Sequence, residues 1–493
     1  MTFSGHHDRL PIRPSRRALL AGSATTLGGV LVTPVLGAAE AASGAPGASA
    51  GSGAGGAAWP PGPGSPNLAQ QPDATLRALL REVDPDNLRR IVRTLVSFGT
   101  RHTLSSQDDP ARGIGAARDW ILAELQRYAE PSGGRMEVAL QSYVQQPASR
   151  IPAPTRFTNV VATLRGSVRP ERVYVVSGHY DSRVTDVMDA TSDAPGADDD
   201  ASGVAVAMEL ARLMATRRPE ATIVFAAVAG EEQGLYGSAY LAQQFKDAGT
   251  DVQAMFTNDI VGASRADDGA RDDRSLRLFT EGVPTDETPA EAAARRAIGG
   301  ENDSPARQLG RFVTEVASNG ATGMNVRVVY RRDRFLRGGD QIPFLERGFP
   351  AARFTEPNED YAHQHQDVRV VDGVEYGDLE QFCDFDYLGR VTRVNGAVLW
   401  SLAQAPGTPQ DVKVLTAELT NDTELTWAAN AETDLDHYEV VWRPTTGADW
   451  TTVIDVGTAT RARIDLSKDN VAFGVRAVDR EGHRSPVAFP VRG

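Results

Sequence analysis

The sequence predicts an α/β protein: a mainly parallel central sheet flanked by helices, followed by a small C-terminal β-sandwich. Three observations predict it. Between residues 73 and 404, short apolar runs alternate with helical patterns. Several of those runs stop at a His, Asp or Glu. Beyond residue 407, helical spacing gives way to short alternating strands. In a parallel layered sheet, sites form at the carboxyl ends of strands. Polar residues that terminate strands are therefore the first candidates for function.

The 493 residues suffice for two or three folded units, and 41% of them are apolar. A net charge of −14 argues against a nucleic-acid partner, which would favour a basic face. The single cysteine, Cys383, excludes an internal disulfide and a thiolate metal site, and is expected in the core. Any metal must then be held by His and carboxylates. Oligomeric state is not legible in these features.

Residues 1–41 read as a twin-arginine signal peptide. Ser15-Arg16-Arg17-Ala18-Leu19-Leu20 is followed by a weakly apolar stretch to Val35, then by Ala39-Glu40-Ala41 for cleavage. Glycines and Pro34 interrupt the stretch and argue against a permanent membrane span. The expected destination is secreted, periplasmic or cell-surface. Residues 42–72 are rich in Gly, Ala and Pro and are expected to form a flexible linker.

From residue 73 the chain becomes globular. Leu76, Leu79, Leu80 and Val83 recur at helical spacing, as do Ile91, Leu95 and Val96, then Ala117, Trp120, Ile121 and Leu125. Val173–Val176, Ile223–Val228 and Met255–Thr257 read as buried strands, with helices over Gly203–Ala215 and Gly237–Phe245. In the last unit, 407–493, Tyr438, Val440 and Trp442 alternate, as do Phe473, Val475 and Ala477. With Trp427, Gly482 and Ser485 this resembles a fibronectin type III domain. It supplies no expected ligand or base, so removing it near Pro406 is expected to spare the chemistry.

Four strand ends carry metal-competent residues. One run ends in His179-Tyr180-Asp181, the next in Gly230-Glu231-Glu232, the third in Asn258-Asp259. Arg353-Phe354-Thr355 leads to a loop holding His363 and His365. Between the first two lies Asp198-Asp199-Asp200, an acidic turn opening a helix, of which one member is the expected ligand. Carboxylates gathered at one sheet edge repel unless a cation neutralises them, and with two imidazoles they suit zinc. Five such groups exceed the needs of one catalytic zinc with an open position, so two metals with a shared carboxylate fit better. One further carboxylate must take a proton from water, and the adjacent Glu231 and Glu232 can divide the roles of ligand and base.

These segments resemble the co-catalytic zinc peptidase family of bacterial leucyl aminopeptidases, glutamate carboxypeptidases and glutaminyl cyclases. The resemblance spans roughly residues 75–403 and rests on His179-Tyr180-Asp181, Gly196–Gly203, Glu231-Glu232, Asp259 and His363 to Asp367. It implies the zinc exopeptidase fold over 73–404 and two Zn²⁺ per chain. His179 and Asp259 would hold one, Glu232 and His363 the other, and Asp199 would bridge. Glu231 would be the general base. Asp181 would accept the second N–H of His179. The implied activity is hydrolysis of N-terminal residues from peptides, with a cyclase or carboxypeptidase as the alternative and a non-catalytic binding protein as a third class. Two departures stand out. Gln341 follows Asp340 where the family has His, and no Tyr stands just upstream, where Phe335 and Leu336 lie instead, with Tyr330 further off. Of the two loop histidines, the family spacing to Asp367 selects His363. His102 is read as structural.

Overall fold

The computed structural model describes residues 59–493. The expected signal peptide and the first part of the expected linker lie outside the described residues. Strand β1 (Ser65–Pro66) comes first, then α1 (Ala74–Arg81), α2 (Pro85–Val96) and α3 (Ile114–Ala129). Asp73 and Asp84 cap α1 and α2, accepting N–H groups from Leu76 and Asp86, and Pro85 sits in the first turn, where no donor is lost. The apolar faces read from the sequence are buried: Leu76, Leu79 and Leu80 in α1, and Ile91 and Leu95 in α2.

The central sheet follows: β2 (Met136–Gln145), β3 (Thr155–Leu164), β4 (Arg169–His179), β5 (Ala221–Val228), β6 (Asp251–Asn258), β7 (Ser275–Phe279), β8 (Asn325–Val329) and β9 (Ala351–Thr355). Their spatial order is β2-β3-β5-β4-β6-β9-β7-β8. The middle four, β5-β4-β6-β9, are mutually parallel, while β2 and β3 form an antiparallel extension. Every residue of β5 is buried, because both faces of the sheet are covered. Alternation divides β4 between two cores. Tyr174 and Val176 face α4 (Ala201–Met214) and the long α9 (Phe385–Gln404). Val173 and Val175 face α5 (Tyr236–Asp247) and α8 (Gln341–Leu345). Helices α6 (Pro289–Arg296) and α7 (Pro305–Ala317) lie between β7 and β8, and a small hairpin, β10 (Arg369–Val371) and β11 (Val374–Tyr376), precedes α9. Among the described residues no helix is long and apolar enough to cross a membrane.

The C-terminal strands are β12 (Lys413–Leu415), β13 (Thr423–Thr426), β14 (Leu435–Pro444), β15 (Thr452–Asp455), β16 (Arg461–Ile464), β17 (Val471–Asp479) and β18 (Val491–Arg492). They form two four-stranded sheets, β1-β15-β14-β17 and β16-β13-β12-β18. Tyr438, Val440, Trp442, Phe473, Val475 and Ala477 fill the core between them, with Leu425 and Trp427 opposite.

Two features depart from the sequence reading. Part of the expected linker is bound: β1 pairs with β15, Trp442 Nε1 donates to the Pro63 carbonyl, and Asn67 bridges Glu315 and Trp450. Backbone pairing and one amide hold this stretch, so a composition poor in large apolar side chains hid it. The sandwich is also no appendage. Asp303, ahead of α7, is buried against Arg311 at 2.8 Å and Arg443 of β14 at 2.8 Å. Arg476 of β17 reaches Glu315 of α7, Glu439 and Asn67. Removing the sandwich would strip partners from buried charges of the larger layer.

Breaking a buried ion pair from one side costs about 3–5 kcal/mol. Asp303→Ala should lower unfolding free energy by that order in a denaturant titration, and a loss below about 1 kcal/mol would show the contact to be peripheral. A second prediction concerns His483, whose Nδ1 meets Asp479 at 2.8 Å and whose Nε2 meets Asp73 at 3.3 Å. Burial favours the neutral ring, but Asp479 and Asp73 push its pKa up to about 10. A raised folded-state pKa stabilises fully below the unfolded value, about 6.5, and that gain is lost as pH climbs through the folded one. Between pH 6.5 and 10 the wild type should therefore lose more stability than His483→Gln; parallel stability curves would remove His483 as the cause.

Candidate metal centre

Four parallel strands deliver the site from one edge. β4 ends at His179, β5 leads into Glu231-Glu232, β6 leads into Asp259, and β9 leads into the loop with His365. The turn before α4 adds Asp199 from beside the end of β4. That approach is close: a Cβ on Gly178 would lie 2.3 Å from the Gly203 backbone, so only glycine fits there.

The side chains converge as two groups sharing one carboxylate: His179, Asp199 and Asp259, and Asp199, Glu232 and His365. His179 Nε2 lies 3.0 Å from Asp199 Oδ1 and 4.0 Å from Asp259 Oδ2. His365 Nε2 lies 2.9 Å from Asp199 Oδ2 and 2.8 Å from Glu232 Oε1. A tetrahedral zinc with bonds of about 2.0–2.1 Å sets its donor atoms roughly 3.3 Å apart, within the observed spread. The buried His179 Nε2 and Glu232 Oε1 have no hydrogen-bond partner despite these short approaches. Unpaired, inward-facing donor atoms at such spacing fit cations.

The electrostatics agree. Burial favours a neutral His365, but Glu232 and Asp199 push its pKa up to about 10. Burial likewise opposes charge on His179, and Asp181 and Asp199 outweigh it, raising its pKa well above the usual range. Burial resists charge on Asp199, yet His365 and His179 hold it well below the usual carboxylate range. Burial raises Asp259, with Arg353 opposing. The cluster thus calls for positive charge at both imidazoles, which divalent cations satisfy.

His363 is not among these groups, which corrects the family spacing. Its ring stacks on Phe382 with centroids 3.5 Å apart, and its Nδ1 meets the Gly377 carbonyl at 3.2 Å. His365 has left-handed backbone, φ 51, and its ring meets Asp199 and Glu232. A non-glycine residue held there costs about 1–3 kcal/mol, and such strain clusters at functional sites. Asp367, the spacing marker, accepts from Thr185 N at the loop's base.

Asp181 does more than face His179. Its carboxylate is 3.6 Å from His179 Nδ1, and the nearer partner is its own main-chain carbonyl at 3.1 Å. The carboxylate also takes N–H groups from Gly230, Glu231 and Glu232, fixing the turn that carries the Glu pair. Asp200 caps α4 through Gly203 N and takes His179 N, which separates it from Asp199. Glu231 stands in neither donor group. Burial raises its pKa well above the usual range, opposed by His179 and reinforced by Asp259, Glu232 and Asp340.

Three supporting residues had no sequence signal. Asp378 accepts the N–H groups of Asp198 and Asp199 at 2.8 and 2.7 Å. Arg353, fully buried, lies 2.9 Å from Asp259 Oδ1, opposite the oxygen nearer His179. Arg101 binds the carbonyls of Tyr180, Pro195 and Gly196, tying β4's end to the Asp199 turn. Tyr330 hydrogen-bonds Ala448 of the sandwich side and packs under Arg307. His102, read as structural, bonds the Val187 carbonyl.

Fold and site together have the form of a metal-dependent hydrolase, with cation ligands at the carboxyl edge of a parallel sheet. A family description, peptidase family M28, matches residues 159–372. A probable zinc metalloprotease of Leptosphaeria maculans is 58% identical over 86% of this chain and 98% of its own length. Another, from Pyricularia oryzae, is 57% identical over 88% of each chain. The chain belongs to peptidase family M28, and is thus a hydrolase. Among solved structures, LapB of Legionella pneumophila matches at a TM-score of 0.48 and 19% identity, covering 69% of this chain and 78% of that one. A glutaminyl cyclase of Porphyromonas gingivalis matches at 0.44 and 18%, covering 64% and 97%. Likeness at that level does not bear on substrate.

If His365 is the ligand, His365→Ala should bind less metal per chain than wild type, while His363→Ala should bind as much. Elemental analysis of dialysed proteins checks this, and the opposite pattern would restore the family spacing.

Proposed function

We propose that this peptidase is an exported, two-zinc aminopeptidase that removes N-terminal residues from peptides. The observation that carries the reading is Asp199, whose two oxygens face different imidazoles, Oδ1 towards His179 and Oδ2 towards His365. That is the disposition of a bridging carboxylate. His179 and Asp259 would hold one zinc, and Glu232 and His365 the other. When bound, the zinc pair supplies Lewis acidity that activates water and polarises the scissile carbonyl.

The chain's own residues account for the remaining steps. Glu231, in neither donor group and with a raised pKa, takes the proton of the attacking water and returns it to the leaving amine. Asp181 holds the Glu231 and Glu232 N–H groups, so base and ligand keep a fixed relation. Arg353 fixes one oxygen of Asp259 and leaves the other turned to His179. Asp340 is buried, neither of its oxygens has a donor, and it lies in the field of His179 and Asp259. With Glu231 it makes this part of the site acidic, which suits a substrate's α-ammonium group. The export reading rests on the leader sequence at residues 1–41.

Glu231→Gln should keep its zinc and lose about 10²–10⁴ in kcat, the usual worth of general-base catalysis. Glu232→Gln should lose metal instead. Chelation should abolish turnover of aminoacyl substrates and Zn²⁺ should restore it. Full activity below one metal per chain would end the two-zinc reading. Turnover of N-terminal glutamine substrates, or of N-terminally blocked peptides with a free C-terminus, in place of aminoacyl substrates would redirect it to a cyclase or a carboxypeptidase.

A further inference from the structure

Two arginines bracket Glu232. Arg183, two residues beyond Asp181, places Nη1 4.0 Å from Glu232 Oε2. Its other nitrogens donate to the carbonyls of Val184 and Thr185, so the guanidinium is held in place. Its side chain is only 16% exposed. Arg150, on the tight turn bridged by Ala148 and Ile151, donates Nη1 to the Glu232 carbonyl at 2.8 Å. Its backbone is left-handed, φ 60, a strained conformation for arginine. The residue is exposed, so its remaining donors face solvent.

Charge balance sets this pair apart. On the opposite side of the centre, Arg353 is matched by Asp259 and Asp333, and Arg334 by Glu359. Among the described residues, Arg150 forms no ion pair within 4.0 Å, and Arg183 meets no carboxylate except Glu232. A cation on Glu232 would neutralise that partner. Arg183 would then be a largely buried guanidinium without a counter-charge, a costly arrangement unless an anion joins it. In a chain of net charge −14, Arg150 and, once Glu232 holds a cation, Arg183 form a local inversion of field at one edge of an acidic site.

We propose that Arg183 and Arg150 bind a carboxylate of the substrate, on the Glu232–His365 side of the centre. This rests on the peptidase reading and narrows its substrate class to peptides with an anionic group close to the scissile bond. Two sources share that chemistry: the free α-carboxylate of a di- or tripeptide, and an acidic side chain after the cleaved bond. Arg150, whose Nε and Nη2 make no hydrogen bond among the described residues, takes either in bidentate fashion, and Arg183 adds Nη1.

The test uses full-length, zinc-loaded Glu231→Gln protein, so that bound peptides are not consumed, and measures dissociation constants by calorimetry. One arm compares Leu-Ala with Leu-Ala amide. The other compares Leu-Glu amide with Leu-Gln amide. The carboxylate member of at least one pair should bind about 10-fold or more tightly, a usual margin for a charge-assisted pair. Adding Arg183→Met or Arg150→Met should shrink that ratio to within about 3-fold, with zinc content unchanged. Which arm responds identifies the source. Equal binding in both arms, or a preference that survives both substitutions, overturns the proposal. Loss of zinc in Arg183→Met would make Arg183 a holder of Glu232 and overturn its part, leaving Arg150→Met to decide the rest. Failure of the wild type to hydrolyse any of the four peptides would count against the aminopeptidase reading instead.

Discussion

Buried negative charge at one edge of the sheet is the constraint around which the rest is arranged. Asp181, Asp198, Asp199, Asp200, Glu232, Asp259, Asp340 and Asp378 are all buried near the ends of parallel strands. Without compensation, such a set would be protonated or unfolded. The fold sorts it by compensation. Asp181, Asp200 and Asp378 each receive two or more backbone N–H groups and act as struts. Asp259 shares one oxygen with Arg353. What backbone leaves unsatisfied is Asp340, Asp199, Glu232 and the free oxygen of Asp259, and the last three face the two imidazoles. The same sorting separates three consecutive aspartates: Asp198 accepts Gly262 N, Asp200 caps a helix, and Asp199 alone is turned inward.

That sorting explains what was legible in the sequence. Strand ends were readable because β4, β5 and β6 are covered on both faces, which forces continuous apolar runs. The first polar residue after such a run then announces itself, as at His179, Glu231 and Asp259. The loop after β9 gave no such boundary. There the spacing rule chose His363, because a count of residues contains no information on a left-handed turn at His365. The struts were invisible for a related reason. Asp378 and Arg353 act through tertiary approach, and neither carries a local pattern. Asp181 was found as a residue, but its second task was not legible: its carboxylate, 3.6 Å from the His179 ring, also takes the N–H groups of the next strand's turn.

The antiparallel extension gave no clear signal, because β2 is half-exposed and the mostly buried β3 has Thr158 and Asn159 in its middle. In the sandwich, alternation at β14 and β17 was plain, and the buried pairs linking it to α7 were not. Arginines such as Arg443 and Arg476 read as surface residues in isolation. Only the opposing Asp303 and Glu315, more than a hundred positions away, make them interior.

The β1 strap has a consequence for how the molecule is made. Ser65 and Pro66 pair with Val453 and Thr452, and Leu68 and Gln70 are engaged by Arg484. These residues thus find their partners about four hundred positions further along the chain. Closure of loops nearly four hundred residues long carries a large entropic cost and slows such contacts. The layered sheet can assemble from nearer neighbours, but the strap must wait for β15 and the stretch around Arg484. The seam between strap and sandwich therefore closes late, after the sheet on which the metal centre is built.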